Sequence, residues 1–137
     1  PIYGDGQQIR DWLYVGDHCS AVRRILEAGI PGEVYNIGGL NEWTNIQIID
    51  KICDLLSSKI KNGSGTDMLQ LKTYVADRPG HDRRYAINAE KIQMELGWAP
   101  SETFETGIEK TVDWYLGNAG WLERLTKQSQ ALEVKTA

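Results

Sequence analysis

Gln8-Ile9-Arg10-Asp11-Trp12-Leu13-Tyr14-Val15-Gly16-Asp17-His18 is the stretch whose reading decides the fold. Ile9 to Val15 reads as a strand, because Trp12, Tyr14 and Val15 fit a pleated surface. Asp17 then stands where a helix N-cap belongs, its carboxylate able to take an unpaired backbone N–H. Ala21, Val22, Ile25 and Leu26 follow at helical spacing, and Gly29 closes the helix. A strand running directly into a helix is the unit of an α/β protein, and the rest of the chain repeats that alternation.

Upstream, Pro1-Ile2-Tyr3 is a short extended entry, and Gly4-Asp5-Gly6 has turn chemistry. Downstream, Glu33 to Ile37 predicts a second strand, ended by Gly38-Gly39. Thr44 is the N-cap of the next helix, with an apolar stripe at Ile46, Ile49, Cys53, Leu56 and Ile60. A polar loop over Lys61 to Gly65 precedes a third strand expected at Leu69 to Ala76. Asp77 to Arg84 is a charged loop. Asn88 caps a short helix through Leu96, which Gly97 stops. Phe104, Ile108, Val112, Tyr115 and Leu116 form the stripe of a last long helix, onto which Trp121 and Leu122 pack back. The five tryptophans at 12, 43, 98, 114 and 121 read as core anchors. From Thr126 the polar composition predicts fraying, which divides the chain into a domain over 1–125 and a tail over 126–137.

With 137 residues the chain fits one domain, and 41% hydrophobic and 25% charged residues are ordinary for a soluble globular protein. Net charge is −4, from 15 Lys+Arg against 19 Asp+Glu, which argues against a general nucleic-acid binder. Cys19 and Cys53 make neither a metal spacing nor a disulfide framework and read as reduced thiols, so a cytoplasmic location is expected. With only His18 and His81, a histidine-rich metal site is excluded, and no metal is expected. No apolar run approaches the length of a membrane span. The chain begins at Pro1 in mid-motif, which suggests a fragment.

The densest constellation is Asp77-Arg78-Pro79-Gly80-His81-Asp82-Arg83-Arg84-Tyr85. Arg78, Arg83 and Arg84 each offer a planar fork suited to phosphate oxygens. Pro79 biases Arg78 toward an extended backbone, and Gly80 permits close backbone approach to a ligand. The competing reading is a solvated loop whose Arg and Asp residues pair with each other. Arg10 at a strand start and Asn45 in the first turn of the Thr44-capped helix add two further candidate anion contacts. Together they describe a diphosphate clamp, with Arg10 and Arg78 meeting in one cleft. Neither a glycine-rich dinucleotide fingerprint nor a Tyr-x-x-x-Lys pair occurs, so no catalytic residue is assigned within the chain.

Pro1-Ile2-Tyr3-Gly4-Asp5-Gly6 and the Gln8–His18 stretch resemble the sugar-nucleotide enzymes of the extended short-chain dehydrogenase family. Tyr35-Asn36-Ile37-Gly38-Gly39 continues the likeness, with Asn41-Glu42 and Asn45. Asp77 through Ile87 narrows it to the dTDP-glucose 4,6-dehydratases. Glu95-Leu96-Gly97-Trp98, Pro100, Thr111-Val112 and Trp114-Tyr115 close it.

The resemblance implies a small mixed α/β substrate-binding lobe, with the Rossmann NAD-binding half absent from this chain. It implies a lyase reaction. NAD takes a hydride from C4 of the sugar, water leaves across C5 and C6, and the hydride returns to C6. The product feeds rhamnose and other deoxysugars. It places substrate contacts at Pro1, Ile2 and Tyr3 near the base, at Arg10, Asn45 and Arg78 near the diphosphate, and at Asp77, Pro79, Gly80 and His81 beside them, with Tyr85 as a further contact. It implies that the chain is inactive alone, that NAD is bound mainly by an N-terminal Rossmann domain, and that the full-length enzyme is a homodimer acting on dTDP-glucose. Two alternatives stay open: the lobe of another sugar-nucleotide epimerase, decarboxylase or dehydratase, and a non-catalytic nucleotide-sugar-binding or dimerisation module.

Overall fold

The computed structural model describes residues 1–60 and 67–136, with side chains described through Lys127. Two short strands open the chain: β1 at Ile2–Tyr3 and β2 at Ile9–Asp11. Helix α1 spans Val15–Ala28. Strand β3 at Glu42–Thr44 leads into α2 at Asn45–Lys59. A single 3₁₀ turn at Met68–Leu71 precedes β4 at Tyr74–Val75. Three helices follow: α3 at Glu90–Leu96, α4 at Phe104–Gly117 and α5 at Ala119–Thr136.

The strands form two small ladders. β1 runs parallel to β4, with Ile2 opposite Tyr74 and Tyr3 opposite Val75. β2 runs antiparallel to β3, with Arg10 opposite Trp43. β2 is flanked on its other side as well. Ile9 donates its N–H to the Arg83 carbonyl at 2.8 Å and accepts from the Tyr85 N–H at 3.0 Å. Strand β2 therefore carries the segment 83–85 on one edge and β3 on the other.

Helix α1 begins two residues before the expected cap. Tyr14 holds the N-cap position without a side-chain bond, and Asp17 lies buried inside the first turn. Its carboxylate instead accepts from Ser101 N (3.1 Å), Ser101 Oγ (2.6 Å) and Glu102 N (3.0 Å). Burial works against that charge, but the bonds from Ser101 and Glu102 prevail and hold Asp17 below the usual carboxylate range. Asp17 thus anchors the α3–α4 connection, a long-range role that local sequence does not display.

Thr44 caps α2 as expected, in a reciprocal capping box with Gln47. Gly29 and Gly97 end α1 and α3, Gly97 in the left-handed conformation at φ 63°. Ala89, not the expected Asn88, holds the N-cap of α3, and the Asn88 side chain one residue earlier accepts from Glu90 N at 2.8 Å. The expected strand over Glu33–Ile37 is not formed. The segment has no ladder partner among the described residues; Tyr35 and Ile37 pack on the core, whereas Val34 is 77% exposed. A strand needs a neighbour to satisfy its backbone groups, and propensity alone supplies none. The third expected strand shrinks to β4, because Met68–Leu71 closes as a 3₁₀ turn. The loop expected over Lys61–Gly65 lies outside the described residues.

The core joins α1 and α3: Ala21, Ala89, Ile92, Leu96 and Trp98 are buried together, with Leu13, Ile25, Tyr35 and Ile37 against them. Trp98 Nε1 donates to Ser20 Oγ at 2.9 Å. Trp43 stacks on Phe104 with ring centroids 4.5 Å apart. Trp114 and Trp121 are core anchors only in part: they meet edge-on at 5.1 Å, but each stays about half exposed on the α4–α5 surface. Helix α5 carries the backbone past Thr126, through the stretch expected to fray. No helix among the described residues is long and apolar enough to cross a membrane.

Candidate functional site

β1 and α2 build an open concavity of about 650 Å³, lined by Pro1, Ile2, Tyr3, Asn45, Arg78 and His81. Trp12, Ile48, Ile49, Ile52 and Ile108 form its apolar wall. The β1–β4 ladder is what brings the chain's first residues to the charged loop: Ile2 N bonds the Thr73 carbonyl, Gly4 N bonds the Val75 carbonyl, and Asp77 follows two residues later. Six of the residues expected at the site therefore face one space, although about 80 positions of sequence separate Pro1 from His81.

The three arginines of the loop part company. Arg83 binds Asp5 through two contacts of 2.9 and 3.0 Å. Arg84 forks onto Glu42 at 2.7 Å for each contact. Both are exposed ion pairs that fasten the loop to its neighbours, and both guanidinium groups are already paired with carboxylates. Arg78 has no carboxylate partner among the described residues and faces the cavity. Pro79 and Gly80 make the turn between Arg78 and His81. Gly80 has φ 70°, which the turn's backbone requires, and open space beside it.

Arg10 does not enter the same cavity as Arg78. It lines a separate groove of about 300 Å³ with Tyr85, Gly38 and Gly39. Its guanidinium lies 4.7 Å from the Tyr85 ring centroid and donates to the Ile9 and Asp82 carbonyls. Strand geometry sends it there: Arg10 and its neighbour Asp11 share the β2–β3 ladder, and the Arg10 side chain leaves on the side where residues 82–85 cross. The Tyr85 hydroxyl donates to the Asp82 carboxylate, which pushes the phenol's pKa up and makes it a weaker acid, while the charges of Arg10 and Arg78 pull the other way.

The helix N-terminus at Asn45 is not available to an anion. Asn45 N bonds the Gln8 carbonyl (3.0 Å), Ile46 N the Gly6 carbonyl (2.9 Å) and Gln47 N the Thr44 hydroxyl (3.3 Å). Asn45 can contribute its side-chain amide, not free helix N–H groups. The apolar wall was missed by reading one stripe per helix. Ile48, Ile49 and Ile52 beside Ile46 give α2 a second apolar side, and that width is the signal. Trp12 likewise read as a core anchor. It lines the cavity, with its Nε1 buried and without a partner among the described residues.

α1 opens on Val15-Gly16-Asp17 with a buried carboxylate in its first turn, and the first N–H groups of α2 are already bonded, so neither of these helix starts fits the diphosphate of a dinucleotide such as NAD. Among the described residues no cluster suited to a metal ion occurs either.

The model of the GDP-mannose 4,6 dehydratase family matches residues 1–111. A dTDP-glucose 4,6-dehydratase of Escherichia coli is 58% identical over 126 residues, covering 91% of this chain and 34% of that protein. The crystal structure of the Bacillus anthracis dTDP-glucose 4,6-dehydratase in complex with NAD is 51% identical, with a TM-score of 0.74 over 88% of this chain and 35% of that one. The Streptomyces venezuelae dTDP-glucose 4,6-dehydratase, solved with NAD and TYD bound, is 39% identical with a TM-score of 0.77. The chain thus spans about a third of the length of the relatives it matches and aligns with their C-terminal part. The mixed α/β fold matches extended short-chain dehydrogenase structures, as the resemblance implied. On the extent of these matches, the chain belongs to the GDP-mannose 4,6 dehydratase family.

Proposed function

We propose that this chain is the nucleotide-sugar-binding lobe of a dTDP-glucose 4,6-dehydratase. The observation that carries the reading is the open cavity between β1 and α2, which sets an arginine with no carboxylate partner among the described residues, a histidine and an amide near an apolar wall of isoleucines and a tryptophan. A nucleoside diphosphate sugar has that division: a flat base that prefers apolar surface, and a diphosphate that needs charged donors. In this reading Pro1, Ile2 and Tyr3 hold the base, and Arg78, His81 and Asn45 hold the diphosphate. Arg10 and Tyr85, which line a separate groove, meet the ligand's far end or its second phosphate in this reading.

The part this chain plays is to bind and orient. Fixing the diphosphate at one end of the cavity aims the sugar toward the rest of the enzyme, where hydride and proton transfers take place. NAD and the catalytic groups belong to that other part, a Rossmann domain, in this reading. The whole enzyme is a cytoplasmic homodimer whose product serves deoxysugar synthesis, rhamnose included.

The experiment is to express the full-length enzyme, titrate it with dTDP, UDP and GDP, and analyse its product from dTDP-glucose. The expected result is a preference for dTDP and release of the 4-keto-6-deoxy sugar nucleotide. A preference for UDP or GDP, or a product that keeps its C6 hydroxyl, overturns the reading in favour of another sugar-nucleotide enzyme.

A further inference from the structure

Asp77 does not line the cavity, yet it bonds two residues that do. Its Oδ1 accepts from the Arg78 backbone N–H at 2.9 Å and meets His81 Nδ1 at 2.7 Å. Its Oδ2 accepts from Gln8 Nε2 at 3.0 Å, and Gln8 is buried. Gly4 passes so close that a Cβ there would lie 2.6 Å from Asp77 Oδ2. The carboxylate therefore joins the β1–β2 turn to the two loop residues that face the ligand space.

We propose that Asp77 is a positioning residue that fixes the ring of His81 and, through it, the anion-binding end of the cavity. This rests on the nucleotide-sugar reading above. An ionised carboxylate can only accept, so the proton of the contact stands on Nδ1. The hydrogen bond from His81 keeps Asp77 below the usual carboxylate range, which maintains that ionised state. With Nδ1 committed, Nε2 is the ring atom left for the cavity. The His81 side chain is only 7% exposed, so the ring has little room to turn away. One carboxylate thus sets which nitrogen faces the ligand and where the Arg78 backbone begins.

Asp77→Asn isolates this role. Asparagine keeps an acceptor for the Arg78 and His81 N–H groups. Its new NH₂ can meet Gln8, whose Oε1 is buried without a partner among the described residues and becomes an acceptor when the Gln8 amide turns over. The fold is kept while the charge that pins the ring is lost.

The test uses the full-length enzyme with dTDP-glucose as substrate and dTDP as binding probe, and compares Asp77→Asn, His81→Ala, the double variant and Arg78→Ala. The expected result for Asp77→Asn is a KM raised roughly three- to tenfold, from the weakening of one charge-assisted contact, with kcat unchanged. In the His81→Ala background Asp77→Asn adds nothing further, because the ring it positioned is gone. Unchanged KM in Asp77→Asn, or effects of Asp77→Asn and His81→Ala that multiply, overturns the positioning role while Arg78→Ala still weakens dTDP. If Arg78→Ala and His81→Ala both leave dTDP affinity unchanged, the cavity is not the diphosphate site, and the proposal falls with that reading.

Discussion

The charged loop has two halves that use the same residue types in opposite ways. Asp82 to Tyr85 is sewn to the sheet: Arg83 to Asp5, Arg84 to Glu42, and the backbone of 83 and 85 to Ile9. Asp77 to His81 is held from behind by one carboxylate and leaves its arginine facing an open cavity. Arg78 and Arg84 are six positions apart, equally charged and equally capable of gripping a phosphate. Only the partner opposite each one separates anchor from candidate ligand contact. Arginine content in a loop therefore says little; the presence of a facing carboxylate decides the role.

Swapping the test between the halves should give the largest contrast. In the full-length enzyme, Arg78→Ala is expected to weaken dTDP binding roughly ten- to a hundredfold, the loss of charge-assisted contacts to phosphate, without lowering thermal stability. Arg84→Ala is expected to do the reverse, leaving affinity alone and slightly lowering Tm. Calorimetric titration with parallel thermal unfolding of both variants reads this directly. If Arg84→Ala costs the affinity and Arg78→Ala the stability, the division of the loop is wrong.

The anchoring of the first half depends on a glycine in the neighbouring turn. Gly4 has φ 61°, and an added Cβ would press on the Asp77 carboxylate. Gly4→Ala is expected to destabilise the fold by about 1–2 kcal/mol through the strained backbone and the contact together. It should also weaken dTDP binding, because Asp77 must shift. Denaturant unfolding measures the first effect. A variant as stable as the parent means the turn relaxes freely and does not brace the loop.

Much of this arrangement was legible in the sequence where the determinant was local. The Thr44 cap and the glycine stops at Gly29 and Gly97 each depend on residues within one helical turn. The determinants that escaped were remote. Asp17 has cap chemistry at a cap position, but its partners lie at Ser101 and Glu102. Glu33–Ile37 has strand composition but no neighbouring strand among the described residues. Arg10 and Arg78 both looked like clamp arms, yet β2 delivers Arg10 to the Tyr85 groove and not to the cavity. The site residues at 1–3, 45, 78 and 81 were placed together by family likeness, and the β1–β4 ladder supplies the physical reason they meet.

The smallest expected effect concerns pH and tests the sewn half. Glu42 is held below the ordinary glutamate range, chiefly by its hydrogen bonds from Arg84 and then by the charge of that guanidinium. A carboxyl whose folded value is depressed contributes stability that is fully present above its unfolded value. That contribution fades as pH falls through the folded value. The attachment of residues 83–85 to β3 should therefore be intact at neutral pH and loosen only in acid, below the ordinary glutamate value of about 4.3. Both partners are exposed, so the effect is local and salt-sensitive and does not amount to global unfolding. Hydrogen exchange at the Tyr85 amide, which bonds the Ile9 carbonyl, is the reporter. In the parent protein its protection is expected to fall on acidification, after correction for intrinsic exchange. In Glu42→Gln it is expected to be lower at neutral pH and to change less over the same range. If protection in the parent is flat across that range, the Arg84–Glu42 pair does not hold this half of the loop, and the ladder to Ile9 alone does.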